Sequence, residues 1–368
     1  MRWAIALFLL VHGLIHFMGV AKSFGFAELP QLTQPISTRM GLAWLMAGLA
    51  LLSAAALLVA APRIWWVVGV PAAVLSQLVV FSAWSDAQFA TVANVVVLAA
   101  ALYGFASQGP VSLRAEYTRT LARHLGPPAS ESLISEADLA RLPDPVRRYV
   151  RKAGAVGQPR ASRFTARWRG RIRAGPEDAW MRFSAVQHNV VDPPTRVFYM
   201  DARKSGLPVD VLHVFQAGAA TMRVRLLSIV PLVRADGPEL TLAETVTLLN
   251  DLSVLAPGAL VDSRIRWEAI DNRSARARYE VGENTVSAVL SFNADDELVD
   301  FVSEDRLMAS SDGGEFTALP WSTPLSEYRQ FGPYRVAGHG EGWWHPRDSD
   351  PFPYVELDLL SVDVNPTP

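Results

Sequence analysis

Four long apolar runs fill the first 110 residues: about 3–20, 40–60, 64–84 and 89–106. Only six charged residues precede Pro110 (Arg2, Lys22, Glu28, Arg39, Arg63 and Asp86), leaving 64 of the chain's 70 for the remainder. A single water-soluble globule does not tolerate that split, and a chain wholly embedded in lipid does not tolerate the charged remainder. At 1.5 Å rise per residue, runs of this length reach roughly 27–31 Å, the thickness of a hydrocarbon core. Trp3, Trp65, Trp66 and Trp84 fall at the run ends, where amphipathic rings prefer the interface. Pro30, Pro35, Pro62 and the polar segment Ser85–Gln88 separate the runs. The expectation is a four-span helical membrane bundle over residues 1–108. Arg2 ahead of the first run and Gly19-Val20-Ala21 after it also fit a cleaved leader. Two histidines inside the run favour a retained span.

Orientation follows from basic residues near the span ends. With the N-terminus inside, the cytoplasmic side receives Arg2, Arg63, Arg114, Arg119 and Arg123, and the opposite side only Lys22 and Arg39. An even number of spans then puts the C-terminal region in the cytoplasm too.

Polar residues within spans are expensive and therefore informative. His12 and His16 are four apart and share a helix face, with Gly19 on the same stripe. Ser76 and Gln77 lie in the third run and Asn94 in the fourth. Depth counting places His16, Gln77 and Asn94 at one level, with Lys22 and Asp86 at the mouth on that side. Two roles compete for this cluster. One is hydrogen bonding that holds the helices together. The other is a polar cavity handling a proton, a small ligand or a quinone headgroup. A metal or haem on His12 and His16 lacks an evident third ligand, so no metal and no cofactor are implied.

Residues 109–134 read as a junction. Leu113, Tyr117, Leu121 and Leu125 recur every four residues with arginines on the other faces, the pattern of an interfacial helix. Gly126 to Ser132 is a Gly, Pro and Ser-rich linker. A second, basic amphipathic helix is expected over 135–153. It carries Arg147, Arg148, Arg151 and Lys152, read as a solvated face.

From Arg160 the period becomes two. Phe164, Ala166 and Trp168 alternate with Arg163, Thr165, Arg167 and Arg169, marking a strand with one buried face. Ten further strand-like runs follow up to 354–364. One apolar helix, about 240–255, interrupts them, with Leu242, Val246, Leu249 and Leu252 forming its stripe. The expectation for 135–368 is an α+β domain: a curved antiparallel half-barrel of about ten or eleven strands in meander order, wrapped around that helix. Its concave apolar lining is expected from Trp168, Val246, Leu249, Leu252, Trp267, Trp321 and Trp343.

Several motifs carry a family likeness. Leu142-Pro143-Asp144-Pro145-Val146-Arg147-Arg148-Tyr149, Gly237-Pro238-Glu239-Leu240, Arg266-Trp267-Glu268-Ala269-Ile270-Asp271 and Phe292-Asn293-Ala294-Asp295-Asp296-Glu297-Leu298 resemble an uncharacterised bacterial domain family over most of 135–365. That resemblance implies a half-open barrel similar to the outer-membrane lipoprotein carriers, which function outside the cytoplasm; the charge distribution instead gives the expectation of a bacterial cytoplasmic-membrane protein with its C-terminal domain inside. The first 108 residues resemble small uncharacterised four-helix membrane proteins through His12-Gly13-Leu14-Ile15-His16, Leu32-Thr33-Gln34-Pro35-Ile36-Ser37, Ser76-Gln77 and Trp84-Ser85-Asp86-Ala87. Neither resemblance implies an activity or a catalytic residue.

Chemical motifs are scarce. The chain has no cysteine, no phosphate loop, no zinc-protease motif and no nucleophile elbow. His188, His213, His339 and His345 show no ligand spacing. Asp300, Glu304 and Arg306 share one expected strand face, as do Glu356 and Asp358. A net charge of −2 makes no case for nucleic acid, and the arginines of 163–173 show no aromatic residue alternating on their face. The expected partner is membrane lipid, with the C-terminal cup binding or carrying an apolar ligand. The competing classes are a membrane enzyme or redox component at the histidine cluster, and an assembly protein without a small ligand.

Overall fold

The computed structural model describes residues 2–124, 132–310 and 312–366, and its contacts fall into two units, Met1–Glu116 and Tyr117–Pro368. The expected linker lies, apart from Ser132, outside the described residues. The first unit contains α1 (Arg2–Ser23), α2 (Thr38–Ala60), α3 (Trp66–Ser82), α4 (Trp84–Ala87) and α5 (Ala90–Gln108), with the unit boundary falling inside α6 (Leu113–His124). Three helices, α1, α2 and the one beginning at Ala90, are long and apolar enough to cross a membrane. The third expected span is shorter: α3 has 17 residues, about 26 Å. It ends where Ala83 leaves helical geometry (φ −131°, ψ 42°), and α4 restarts for one turn.

These helices bury small and polar residues and expose many of their large apolar ones. On α1, Ala6, Leu9, His12, Gly13, His16 and Gly19 are buried, while Leu7, Leu10, Val11, Leu14 and Ile15 are exposed. Leu42 and Met46 on α2, Val74 and Leu78 on α3, and Val92 and Val95 on α5 are exposed as well. Water penalises such an exterior and lipid does not, whereas small residues inside let helices approach closely. A Cβ on Gly19 would lie 2.2 Å from Cδ2 of Trp44, so glycine is what admits that indole between α1 and α2.

In the second unit the expected helix 135–153 is two pieces, α7 (Glu136–Leu139) and α8 (Asp144–Lys152), because Pro143 stands at the N-cap of the second. Its basic face is partly tied down: Arg148 pairs with Asp296 at 2.7 Å and Arg151 with Glu136 at 2.6 Å. Six strands then run in order, β1 (Arg163–Ile172), β2 (Met181–Val190), β3 (Thr195–Lys204), β4 (Leu207–Gln216), β5 (Ala219–Leu226) and β6 (Val230–Asp236). After α9 (Pro238–Leu255) and a 3-10 turn at Pro257–Val261 come β7 (Ile265–Asp271), β8 (Ser274–Val281), β9 (Asn284–Phe292) and β10 (Leu298–Ser303). Short strands follow: β11 (Leu307–Ala309), β12 (Phe316–Ala318), β13 (Trp321–Ser322), β14 (Leu325–Ser326), β15 (Arg329–Phe331) and β16 (Tyr334–Val336). The last two are β17 (His339–Trp344) and β18 (Phe352–Val364).

Among the described residues these form one fourteen-stranded antiparallel sheet and two small hairpins, more than the ten or eleven strands expected. The extra strands have local causes. The run read as 221–229 folds back at Leu227 and Ser228, both with positive φ, and the Ser228 hydroxyl donates to Asp210. The segment His339–Trp344, outside the runs expected as strands, forms β17. A plain meander is also not what forms. The order is β6-β5-β4-β3-β2-β1-β18-β17-β13-β10-β9-β8-β7, so the C-terminal strand enters the middle of the sheet beside β1.

The sheet does not close, since β6 and β7 remain its two edges. Helix α9 packs mainly on β5 and β6 from one arm and β9 and β10 from the other, with β11 of the β11–β12 hairpin also against it. One helix touching both arms requires the sheet to curve around it. From Leu240 to Leu255 only Leu242 and Thr247 keep partial exposure, so this is a core helix despite its polar residues. Thr241, Thr245 and Ser253 satisfy their hydroxyls on carbonyls four residues back, at 2.7–2.8 Å.

Candidate functional site

The helical unit gathers a polar cluster on the buried sides of α1, α3 and α5. His12 Nε2 lies 2.8 Å from Asn94 Oδ1, and Ser76 Oγ lies 2.7 Å from the same oxygen. Ser76 Oγ is also 2.9 Å from His16 Nε2, while His16 Nδ1 donates to the His12 carbonyl at 3.0 Å. Asn94 donates to Gln77 Oε1 at 2.9 Å, and Gln77 donates to Thr91 Oγ1 at 3.1 Å, a partner the sequence reading did not name. The contacts link Gln77, Asn94 and, through Ser76, His16, the three that the depth count put at one level, and add His12 on Asn94. The acceptors set the tautomers: His12 carries its proton on Nε2 toward Asn94 and His16 carries its own on Nδ1 toward the His12 carbonyl, so the one Ser76 proton goes either to His16 Nε2 or to Asn94 Oδ1. Lys22 donates to the Leu32 carbonyl, and Asp86 accepts from Thr33 Oγ1 at 2.6 Å and the Gln34 N–H at 2.9 Å. Those hydrogen bonds hold the Asp86 carboxyl below its ordinary pKa. A cavity of about 210 Å³ is lined by His12, His16, Trp44, Asp86 and Phe89, and the buried Trp44 indole N–H has no hydrogen-bond partner among the described residues.

The sheet unit holds a second cavity, about 260 Å³, between α9 and the middle strands. Its position follows from the packing: α9 bridges the two arms, so β1, β2, β17 and β18 stand away from it. Apolar walls come from Trp168 and Ile172 on β1, Phe183 on β2, Phe198 and Met200 on β3, and Val355 and Leu357 on β18. On the helix side the lining is polar as far as Asp251, with Val254 and Leu255 beyond it. Glu244, Thr247, Asn250 and Asp251 recur at three- to four-residue spacing and face the space.

These groups form a connected chain. Trp168 Nε1 donates to Gln187 at 3.3 Å, Gln187 to Asn189 at 2.9 Å, and Asn189 to Asp251 Oδ2 at 3.0 Å. Arg196 Nε reaches the same carboxylate oxygen at 2.8 Å, while its Nη1 reaches Glu244 Oε2 at 3.3 Å. Arg306 Nη1 donates to Glu244 Oε1 at 3.2 Å and to the Ala243 carbonyl. His213 Nε2 stands 3.5 Å from Glu244. Burial works against ionisation of Glu244, but His213 when protonated and then the Arg196 and Arg306 guanidiniums outweigh it and bring its pKa down to about 2. Burial pushes the His213 pKa down to about 4, against the pull of Glu244 and together with repulsion from Arg196 and Arg306. At neutral pH His213 is therefore uncharged, and the two guanidiniums keep Glu244 ionised. Burial raises the Asp251 pKa even with Arg196 alongside.

The structure sorts the expected lining residues differently from the sequence reading. Trp168 and Trp321 line the cavity. Val246, Leu249 and Leu252 are buried in the hydrophobic core instead, on the α9 face turned from the cavity. Trp267 lies on a separate surface depression and donates to the Leu260 carbonyl at 3.3 Å. Trp343 sits beside the site, donating to Glu341 at 2.6 Å. Arg306 does not share an outer face with Asp300 and Glu304, because the strand ends at Ser303 and Arg306 turns inward to Glu244. Glu356 pairs with Arg171 at 2.6 Å and Asp358 with His339 at 2.8 Å. An aromatic residue does accompany the first-strand arginines: Trp180 lies 4.6 Å from both Arg171 and Arg173. The missed signal was the Glu244, Thr247, Asn250, Asp251 stripe, a polar periodicity inside an apolar helix.

Residues 132–357 match the profile of a family of unknown function, DUF6544, and the chain belongs to that family. Three solved structures show low similarity. One is a DUF1329 family protein from Desulfovibrio piger, with 12% identity and a TM-score of 0.36, covering 63% of this chain and 94% of that one. A putative outer membrane lipoprotein-sorting protein domain from Vibrio parahaemolyticus has 14% identity and a TM-score of 0.32, over 55% and 85%. A LolA superfamily protein from Nitrosomonas europaea has 11% identity and a TM-score of 0.28, over 61% and 94%. No curated protein sequence matches significantly.

Proposed function

We propose that the protein is a membrane-tethered binding protein whose sheet domain takes up the apolar part of a lipid or lipid-linked molecule. The observation that carries this reading is the cavity of about 260 Å³ walled by Trp168, Ile172, Phe183, Met200 and Leu357. Ligand pockets are mostly apolar with a few fixed polar groups, and this lining has that composition. Its volume falls just under the roughly 300 Å³ at which pockets for drug-sized ligands begin, so it suits one chain rather than a whole two-chain lipid. The apolar exterior of the helical unit supports the tether, and the distribution of basic residues supports a cytoplasmic N-terminus and cytoplasmic sheet domain in a bacterial inner membrane. Solvent extraction of the purified full chain tests the reading. An acyl-bearing molecule near one equivalent is expected, and an extract free of lipid beyond the detergent control would overturn it.

A further inference from the structure

We infer that the cavity ligand presents an uncharged oxygen acceptor, an ester or amide carbonyl, to the wall formed by Trp321 and Arg306. This rests on the apolar-ligand reading and adds the chemistry of the polar end. Trp321 lines the cavity and is 5% exposed, and the Arg306 guanidinium carbon lies 5.4 Å from its ring centroid. Trp321 Nε1 and Arg306 Nε are buried and have no hydrogen-bond partner among the described residues. Each of these buried N–H groups is costly to leave without an acceptor, and each asks for an oxygen.

The charges lining the cavity decide what kind of oxygen. Arg196 and Arg306 are matched by Glu244 and Asp251 at 2.8–3.3 Å, and Glu341 adds another carboxylate to the lining. An incoming anion would therefore meet no uncompensated cation and would carry its own desolvation cost. A cationic ligand would face the two orphan groups with donors against donors. A neutral carbonyl satisfies both. Size sets the chain: a cavity of about 150 Å³ holds benzene, so this one takes roughly ten heavy atoms by proportion.

Native mass spectrometry of the full chain, titrated with methyl octanoate, octanoate, octylamine and octane, tests this. The ester is expected to bind at least about tenfold more tightly than the acid anion or the amine. Trp321→Phe, which keeps a ring against Phe301, should weaken the ester about tenfold and leave octane unchanged. Arg306→Lys, which retains a cation for Glu244 but lacks the Nε donor, should act in the same direction. If octane binds as well as the ester and neither variant matters, the acceptor inference fails while the apolar reading survives. Octanoate or octylamine binding as tightly as the ester also overturns it. If none of the four binds, the underlying reading fails with it.

Discussion

His213 makes the stability of the sheet domain depend on pH in a way that can be calculated. Its side chain is 13% exposed and stands 3.5 Å from Glu244. Burial, helped by Arg196 and Arg306, lowers its pKa from 6.5 to about 4. The folded value lies below the unfolded one, so on acidification the unfolded chain takes up this proton first. The contribution is intact above pH 6.5 and is lost as pH falls from about 6.5 to about 4. The full loss corresponds to about 3 kcal/mol, and between pH 7 and pH 5 it is about 2 kcal/mol. In urea, with a slope near 3 kcal/mol/M, the unfolding midpoint should fall by roughly 0.7 M over that interval. The assay is urea unfolding of the full chain in detergent, following the β-sheet signal for wild type and His213→Gln at pH 7, 6 and 5. Other histidines contribute to both proteins, so the difference between them isolates His213. The variant should lose about 2 kcal/mol less than wild type on going to pH 5. Parallel pH profiles would refute the placement of a neutral imidazole in this ionic cluster.

Three further outcomes are expected. Arg196→Met leaves the buried Asp251 with neutral amide partners and no cation, and leaves Glu244 to Arg306, so urea unfolding should show a loss of about 3–5 kcal/mol, recovered in large part by adding Asp251→Leu. Gly19→Ala places a methyl group 2.2 Å from Trp44, and the thermal midpoint of the solubilised helical unit should fall by the equivalent of about 1–3 kcal/mol. Replacing His12 and His16 together by Leu removes interhelical bonds of about 0.6–2 kcal/mol each, so the helical unit should melt earlier while lipid recovered from the sheet domain stays the same. A fall in recovered lipid there would instead link the histidine cluster to ligand handling.

What was legible in the sequence was what depends on local periodicity. Apolar runs located α1, α2 and α5, and alternation located β1, because burial of one face imposes its own period. The helix after Gly237-Pro238 was also evident, but not which face meets the cavity. The apolar stripe Val246, Leu249 and Leu252 went to the core, and the polar stripe Glu244 to Asp251 went to the cavity. That outcome depends on Arg196 and Arg306, which lie 48 and 62 residues from Glu244 and approach it only once the sheet curves. The pairing of β1 with β18, closing the sheet's centre from opposite ends of the domain, is likewise non-local. The strand β17 carries too little alternation to stand out, because in it Gly342 leaves room for Tyr354 and Val355, which a Cβ would meet at 2.7–2.8 Å.

A crystal structure of the full chain soaked with a methyl octanoate brominated at its terminal carbon tests the central claim most directly. A bromine anomalous peak should lie in the space between Trp168 and Trp321, and it should vanish in Ala337→Phe, whose larger side chain fills the lining. Ordered density for an empty cavity, or bromine found only along the outer faces of the membrane helices, would contradict a sheet domain built to hold an acyl chain.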